Sequence, residues 1–145
     1  MMSAPDYQPR ILVIDDNDHG LRARKGVLEE MGYCVTTAKC AETGLELYLA
    51  ERFDAVVTDF RMPGMNGAEL IAHIREHDPR ARIVLISGFT QPLGLTEENT
   101  GADVVLSKSN REVTQLTRAV ARLLSRTAPR KPPASAKAVL LARAK

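Results

Sequence analysis

The stretch VVTDFRMPGMNG, residues 56–67, ends an apolar run on an aspartate and then turns. Apolar and branched residues precede Asp59, and Pro63, Gly64 and Gly67 follow it. A short run of this kind predicts a strand buried in a sheet, and the glycines permit a turn that brings the backbone close to a site. A loop that only connects two elements does not need a carboxylate there, so the pattern predicts that Asp59 does chemistry.

Further short apolar runs alternate with segments of helical periodicity along the chain. The predicted strands cover residues 10–14, 33–38, 54–58, 81–87 and 103–107. The predicted helices cover residues 18–31 and 41–50, a segment opening at Asn66, a shortened segment in 91–100 and a last segment opening at Ser109. Continuous apolar strands joined by helices indicate a doubly wound parallel sheet in an α/β fold, (βα)5, with both faces covered.

Local signals predict where the helices begin and end. The predicted N-caps are Asp18, Asn66 and Ser109, the last two in capping boxes with Glu69 and Glu112. Gly32 is the predicted stop of the first helix. The predicted inward faces are Leu21, Val27, Leu28 and Met31 in the first helix, and Val113, Leu116, Val120, Leu123 and Leu124 in the last.

Polar residues follow the predicted strands at the point where each strand ends. The first strand runs into Asp15 and Asp16, the third into Asp59, the fourth into Ser87 and the fifth into Lys108. In an open parallel sheet the carboxyl ends of the strands form the ligand-binding edge. The sequence therefore predicts one site built from these side chains.

The predicted site suits phosphoryl chemistry. Three carboxylates in one pocket repel one another unless a cation lies among them, and Mg²⁺ prefers oxygen ligands of this kind. A carboxylate such as Asp59 can act as a nucleophile toward phosphorus. The charge on a transferring phosphoryl group calls for an ammonium and hydrogen-bond donors, which Lys108 and Ser87 offer.

These motifs resemble the receiver domain of bacterial two-component response regulators, of the stand-alone chemotaxis-regulator kind. The similarity covers roughly residues 10–125, through IDD after the first strand, DFRMPGMNG after the third, SG after the fourth and GADVVLSK around the fifth. It implies a flavodoxin-like sheet of order 2-1-3-4-5 and a phosphoacceptor at Asp59. It implies Mg²⁺ ligation by Asp16, Asp59 and the Arg61 carbonyl, with Asp15 acting through water. Ser87 and Lys108 would contact the phosphoryl group.

The resemblance also implies partners and an organisation. The expected donor is a histidine kinase or histidine phosphotransfer protein, and the expected output is relay or binding to an unidentified protein, or to a second copy as a homodimer. We expect an extension at 1–9, the receiver at 10–126 and a flexible basic tail at 127–145, with no DNA-binding or enzyme domain. We expect a cytoplasmic signalling switch, not an enzyme beyond its own phosphoryl transfer and dephosphorylation.

Two positions depart from the family pattern. Val105 stands where the family usually has an aromatic switch residue, so we expect a different readout. Ser109 stands where a proline usually follows the lysine, which leaves the isomer of the Lys108–Ser109 bond open. The side chains of Arg61 and Phe89 occupy positions that tune phosphoryl lifetime in the family.

Other functions remain as alternatives. Asp16 and Asp18 form a D-x-D after the first strand, as in phosphatases of the haloacid dehalogenase type, but that chemistry leaves Asp59 unexplained. A receiver-like binding module that is never phosphorylated is a second alternative. A calcium loop opening at Asp15 fails because Gly26 stands where a bidentate glutamate is required.

Composition bounds the remaining possibilities. The chain has 145 residues and a formal net charge of +2. All six basic residues after position 125 lie in a segment without acidic ones, whereas residues 1–125 carry 14 basic against 18 acidic side chains. The charge therefore gives no reason to expect nucleic-acid binding by the domain. No apolar run approaches membrane-spanning length, and Cys34 and Cys40 are expected to be reduced.

Overall fold

The computed structural model describes residues 7–88 and 94–125, which contain a five-stranded parallel sheet. The strands are β1 (Arg10–Ile14), β2 (Cys34–Ala38), β3 (Ala55–Asp59), β4 (Ile83–Ser87) and β5 (Val104–Ser107). The helices are α1 (Asp18–Glu30), α2 (Ala41–Ala50), α3 (Gly67–His77), α4 (Glu97–Thr100) and α5 (Glu112–Leu124). The strand order is β2-β1-β3-β4-β5, which confirms the predicted flavodoxin-like order.

Both faces of the sheet are covered, as predicted. Successive residues of a strand point to opposite faces. In β1, Leu12 and Ile14 belong to the core shared with α2 and α3, whereas Ile11 and Val13 belong to the core shared with α1 and α5. A strand buried on both sides needs an apolar residue at every position, which is why its sequence shows a continuous run.

Helix α1 confirms one predicted boundary and corrects another. Gly32 adopts a φ of +94° just beyond the helix, a conformation that favours glycine, and it ends the helix as predicted. The N-cap is Asn17, whose side chain accepts from the Gly20 N–H, and not Asp18. Both residue types can cap, and Asp18 instead forms an ion pair with Lys39 at 2.9 Å. The prediction that Met31 faces inward is also wrong, because it is exposed.

Helix α5 begins later than predicted. Arg111 is its N-cap, without a side-chain capping bond, and Ser109 accepts from the Arg111 N–H in a turn before the helix. The predicted capping box of Ser109 with Glu112 is therefore wrong, because the Glu112 carboxylate binds Arg24 instead. Leu116, Val120 and Leu123 are buried as predicted, whereas Val113 is exposed.

The turn between β3 and α3 is held close to Asp59. Gly64 adopts a φ of +80°. A Cβ at Gly67 would lie 2.4 Å from the carbonyl oxygen of Asp59, so only glycine allows this approach. Asn66 caps α3 in a capping box with Glu69, as predicted. The turn thus fixes the backbone that follows Asp59.

Some predictions lie outside the described residues or stay untested. Phe89, residues 91–93 of the predicted fourth helix and the tail at 127–145 lie outside them, and α4 is a single turn. The boundaries at residues 10 and 126 stay predictions. Within the described part of the chain, no helix has the length and apolarity needed to cross a bilayer. Cys34 and Cys40 are not paired with each other.

Candidate phosphoryl-transfer site

The carboxyl ends of the strands bring the predicted site residues to one edge of the sheet. Asp15 follows β1, Asp59 ends β3 and Lys108 follows β5. Ligand oxygens of Asp15, Asp16 and Asp59 all lie within 4.8 Å of one another. A cleft of about 570 Å³ opens over them, and its lining includes Arg61 and Lys108. The parallel topology therefore assembles the predicted cluster.

Asp59 is a buried carboxylate with an unusual environment. Its side chain is 3% exposed, and the Lys108 Nζ lies 2.9 Å from its Oδ1. The two groups form an ion pair, and Oδ1 has no partner besides Lys108 among the described residues. Burial, reinforced by the Asp15 charge, raises the pKa of Asp59, and the Lys108 ammonium offsets this only in part.

Asp15 is also buried, at 2% exposure, but both of its oxygens are engaged. Oδ1 accepts the backbone N–H of Asn17 at 3.0 Å, and Oδ2 accepts from Nη1 of Arg24 at 2.7 Å. A Cβ at Gly20 would lie 2.3 Å from Oδ2, so glycine gives this carboxylate the room to turn toward α1.

Arg24 is the site residue that the sequence analysis missed. It is 5% exposed, and its Nε donates to Glu112 Oε2 at 2.8 Å. Burial opposes its charge, but Glu112, Asp15 and Asp59 outweigh burial and raise the pKa of Arg24. A signal existed in the sequence, because Arg24 lies three residues after Leu21 and four before Leu28, on the buried face of α1.

The remaining predicted residues have different positions relative to the cleft. The side chains of Asp16 and Arg61 are exposed and line it. Ser87 is buried at the end of β4, where its carbonyl accepts the Lys108 N–H at 3.1 Å.

Val105 lies in β5, half-buried, and its N–H donates to Glu97 at 2.9 Å. All peptide bonds in the described segments are trans, which settles the Lys108–Ser109 bond.

The donor set fits a magnesium ion. Mg²⁺ prefers oxygen ligands and is usually bound by one or two carboxylates together with waters. Asp59 offers a buried carboxylate, and Asp16 offers an exposed carboxylate within the same cluster. Asp15, held by Arg24 and Asn17, is less free to coordinate directly.

Fold and site together define a class of protein, an α/β domain with a cluster of carboxylates at the carboxyl edge of a parallel sheet. Residues 11–121 match the family described as the response regulator receiver domain, and the chain belongs to that family. It is thus a receiver domain of the two-component type, a class of signalling domains.

Relatives in sequence carry the same domain within longer proteins. The virulence sensor protein BvgS of Bordetella bronchiseptica is 36% identical over 100 residues, which are 66% of this chain and 8% of BvgS. A response regulator receiver protein of Anaeromyxobacter sp. is 38% identical over 78 residues, 54% of this chain and 33% of that protein. The chain thus spans between 8% and 33% of these relatives.

Similar solved structures include the response regulator TrrA of Thermotoga maritima in complex with Mg²⁺–BeF. It is 31% identical, with a TM-score of 0.74, over 81% of this chain and 100% of that one. A chain in the complex of histidine kinase ThkA with TrrA is 31% identical, with a TM-score of 0.72, over 81% of this chain and 99% of that one.

Proposed function

We propose that Asp59 accepts a phosphoryl group from a histidine kinase or a histidine phosphotransfer protein, and that this modification switches the domain. The carrying observation is the Asp59 carboxylate, which is buried at the carboxyl edge of the sheet with its Oδ1 2.9 Å from the Lys108 Nζ and in one cluster with the carboxylates of Asp15 and Asp16. Burying a carboxylate beside two others is costly, and a cation bound at the site would offset that cost.

The proposed step is a transfer between nucleophiles. A carboxylate oxygen of Asp59 forms a bond to phosphorus as the bond between phosphorus and the donor's imidazole nitrogen breaks, and the electron pair of that bond stays on the nitrogen. Lys108 lies close enough to Asp59 to stabilise negative charge on the phosphoryl oxygens. The Ser87 hydroxyl, at the end of the adjacent strand β4, would donate to another oxygen.

We propose Mg²⁺ as the cofactor of this step. Asp16 and Asp59 would bind the ion directly together with the carbonyl of Arg61, and Asp15 would bind it through water. The ion would supply positive charge to offset the charges of the carboxylates and the phosphoryl group. Support comes from the carboxylate cluster and from the similarity to TrrA, whose structure contains Mg²⁺–BeF.

The proposed donor and output follow from the family. The similar structure of TrrA in complex with a histidine kinase supports a kinase as donor. Val105 has no ring that could turn inward, so we propose an output by phosphorelay or by partner docking that does not use an aromatic switch. A cytoplasmic location is proposed on the same grounds of family membership.

Intact mass tests the proposal after incubation with acetyl phosphate and Mg²⁺. We expect the wild-type chain to gain one phosphoryl mass, and we expect Asp59→Asn and a chelator each to abolish the gain. The matched control is Asp18→Asn, because Asp18 is exposed and ion-paired with Lys39, away from the cluster. Loss of the gain in Asp18→Asn, with the gain kept in Asp59→Asn, would favour the alternative phosphatase chemistry and overturn the proposal.

A further inference from the structure

Arg24 makes a buried bridge between two elements that frame the site. Its Nη1 donates to Asp15 Oδ2 at 2.7 Å, and its Nε donates to Glu112 Oε2 at 2.8 Å. Asp15 follows β1, and Glu112 is the first residue of α5. Lys25, the next residue of α1, is exposed and forms an ion pair with Glu29 at 3.6 Å.

Packing alone does not explain this arrangement. Arg24 occupies a position on the buried face of α1 between Leu21 and Leu28, and an apolar side chain of similar volume often serves as well or better at such a place. The guanidinium instead reaches the carboxylate cluster and neutralises one member. Gly20 leaves the space into which the Asp15 carboxylate turns to meet it.

The bridge bears on cation binding because Arg24 and a metal ion compete for the same carboxylate. One oxygen of Asp15 is held by Arg24 and the other by the Asn17 N–H. A positive charge in this position also opposes a divalent ion in the cluster. Glu112 shares the guanidinium and thereby weakens both effects.

We propose that Arg24 is a positioning residue that lowers the Mg²⁺ affinity of the site by holding Asp15 against α1, and that Glu112 moderates this action through Arg24. The inference rests on the proposed function, since it takes the three-carboxylate cluster to be the Mg²⁺ site. Through Glu112 and Arg24, α5 would then influence cation binding, although α5 contributes no carboxylate to that cluster.

Two substitutions have opposite expected effects. Arg24→Met removes the competitor, and we expect the dissociation constant for Mg²⁺ to fall about tenfold, the effect of one unit charge a few ångströms from a divalent ion. Glu112→Gln leaves the Arg24 charge fully available to Asp15, and we expect the constant to rise about threefold, because Arg24 then competes more strongly with the ion for Asp15.

Titration calorimetry of the chain with MgCl₂ tests the inference, with folding of each variant checked by circular dichroism. The double variant separates a bridge from a general charge effect. If Glu112 acts through Arg24, Glu112→Gln has no effect in the Arg24→Met background. Lys25→Met is the matched control, because it removes a positive charge one residue away that does not face the cluster, and we expect it to leave the constant unchanged.

The outcomes distinguish this inference from the proposed function. A wild-type chain that binds no Mg²⁺ overturns both. A wild-type chain that binds Mg²⁺, with Arg24→Met unchanged or weaker, overturns the inference alone. If Glu112→Gln changes the dissociation constant equally in the wild-type and Arg24→Met backgrounds, Glu112 does not act through Arg24, and that part of the inference is wrong. If Arg24→Met does not fold, the test rests on Glu112→Gln alone. A Mg²⁺ affinity of Glu112→Gln equal to or higher than that of the wild type then contradicts the inference.

Discussion

The surroundings of Asp59 disfavour the ionised form of its carboxyl group. Burial is the largest cause of its raised pKa, and Asp15 adds to it. In the folded state the carboxylate therefore binds a proton more tightly than in the unfolded state. Stability consequently falls as the pH rises from the unfolded pKa through the folded pKa. Such a residue is poised to bind a cation or to react.

We expect Asp59→Asn to raise the free energy of unfolding at neutral pH in chelator, by about 1 kcal/mol, because it removes an incompletely compensated buried charge. The gain should shrink as the pH falls toward the ordinary value of 3.8. Adding Mg²⁺ should stabilise the wild type and not the variant, because a ligand stabilises the state that binds it.

Urea unfolding followed by circular dichroism measures this effect. Asp18→Asn is the control, because Asp18 is exposed and its pKa is lowered by the hydrogen bond to Lys39, so its neutralisation should give no gain. An Asp59→Asn variant that is less stable than the wild type in chelator would contradict the account of the Asp59 environment.

The roles of some site residues could be predicted from the sequence, and the roles of others could not. Asp59 and Lys108 could be predicted because each stands where an apolar strand stops, and parallel strands stop at one edge. The position of Arg24 on the buried face of α1 could be predicted from its spacing to Leu21 and Leu28, but its bridging role could not. Its partner Glu112 lies 88 residues away, and no local pattern contains that pairing.

The helices pack on the sheet through a mixture of apolar contacts and a few polar bonds. Tyr48 in α2 is largely buried, and its hydroxyl donates to Asp78 Oδ2, at the C-cap of α3, at 2.7 Å. Burial first and the Asp78 bond second raise the pKa of Tyr48. The bond links the ends of two neighbouring helices on the face of the sheet that carries α2 and α3.

We expect Tyr48→Phe to lower the free energy of unfolding at neutral pH by about 1 kcal/mol, the net contribution of one hydrogen bond. Above pH 10.0 the unfolded tyrosine ionises first, so the folded wild type loses stability as the pH rises. The variant should lose less over that range. Urea unfolding at neutral and alkaline pH measures both effects.

Tyr33→Phe provides the comparison, because burial alone raises the pKa of Tyr33. It should reduce the alkaline loss without the loss at neutral pH. If Tyr48→Phe were as stable as the wild type at neutral pH, the bond to Asp78 would have no net effect, and the account of how α2 and α3 are joined would be wrong.

Helix boundaries show where local prediction fails. The capping box at Asn66 and Glu69 was predictable because both partners lie within one turn. The N-caps of α1 and α5 were not, since Asn17 and Asp18 are both capable caps and the Ser109–Glu112 spacing also fits a box. In α5 the tertiary partner Arg24 binds the Glu112 carboxylate, and that contact lies outside any local window.

In the described part of the chain the five strands form one sheet, and the site residues lie at the carboxyl ends of those strands. The strand order was predictable only through the resemblance, because apolar runs indicate buried strands but not which strands are neighbours. The observed registers place Asp59 opposite Ile86 and Ser87 opposite Ser107, so the edge is aligned across β3, β4 and β5. The charges at that edge, and not the overall charge of +2, set what it binds.

Whether Asp59 is the phosphoacceptor is tested most directly by locating the phosphoryl group on the chain. The chain is treated with acetyl phosphate and Mg²⁺, the acyl phosphate is reduced with borohydride, and the peptides are sequenced by mass spectrometry. We expect one modified position, Asp59, converted to homoserine. Modification at Asp16 or Asp18, or a phosphate on a serine that survives hydroxylamine, would contradict it.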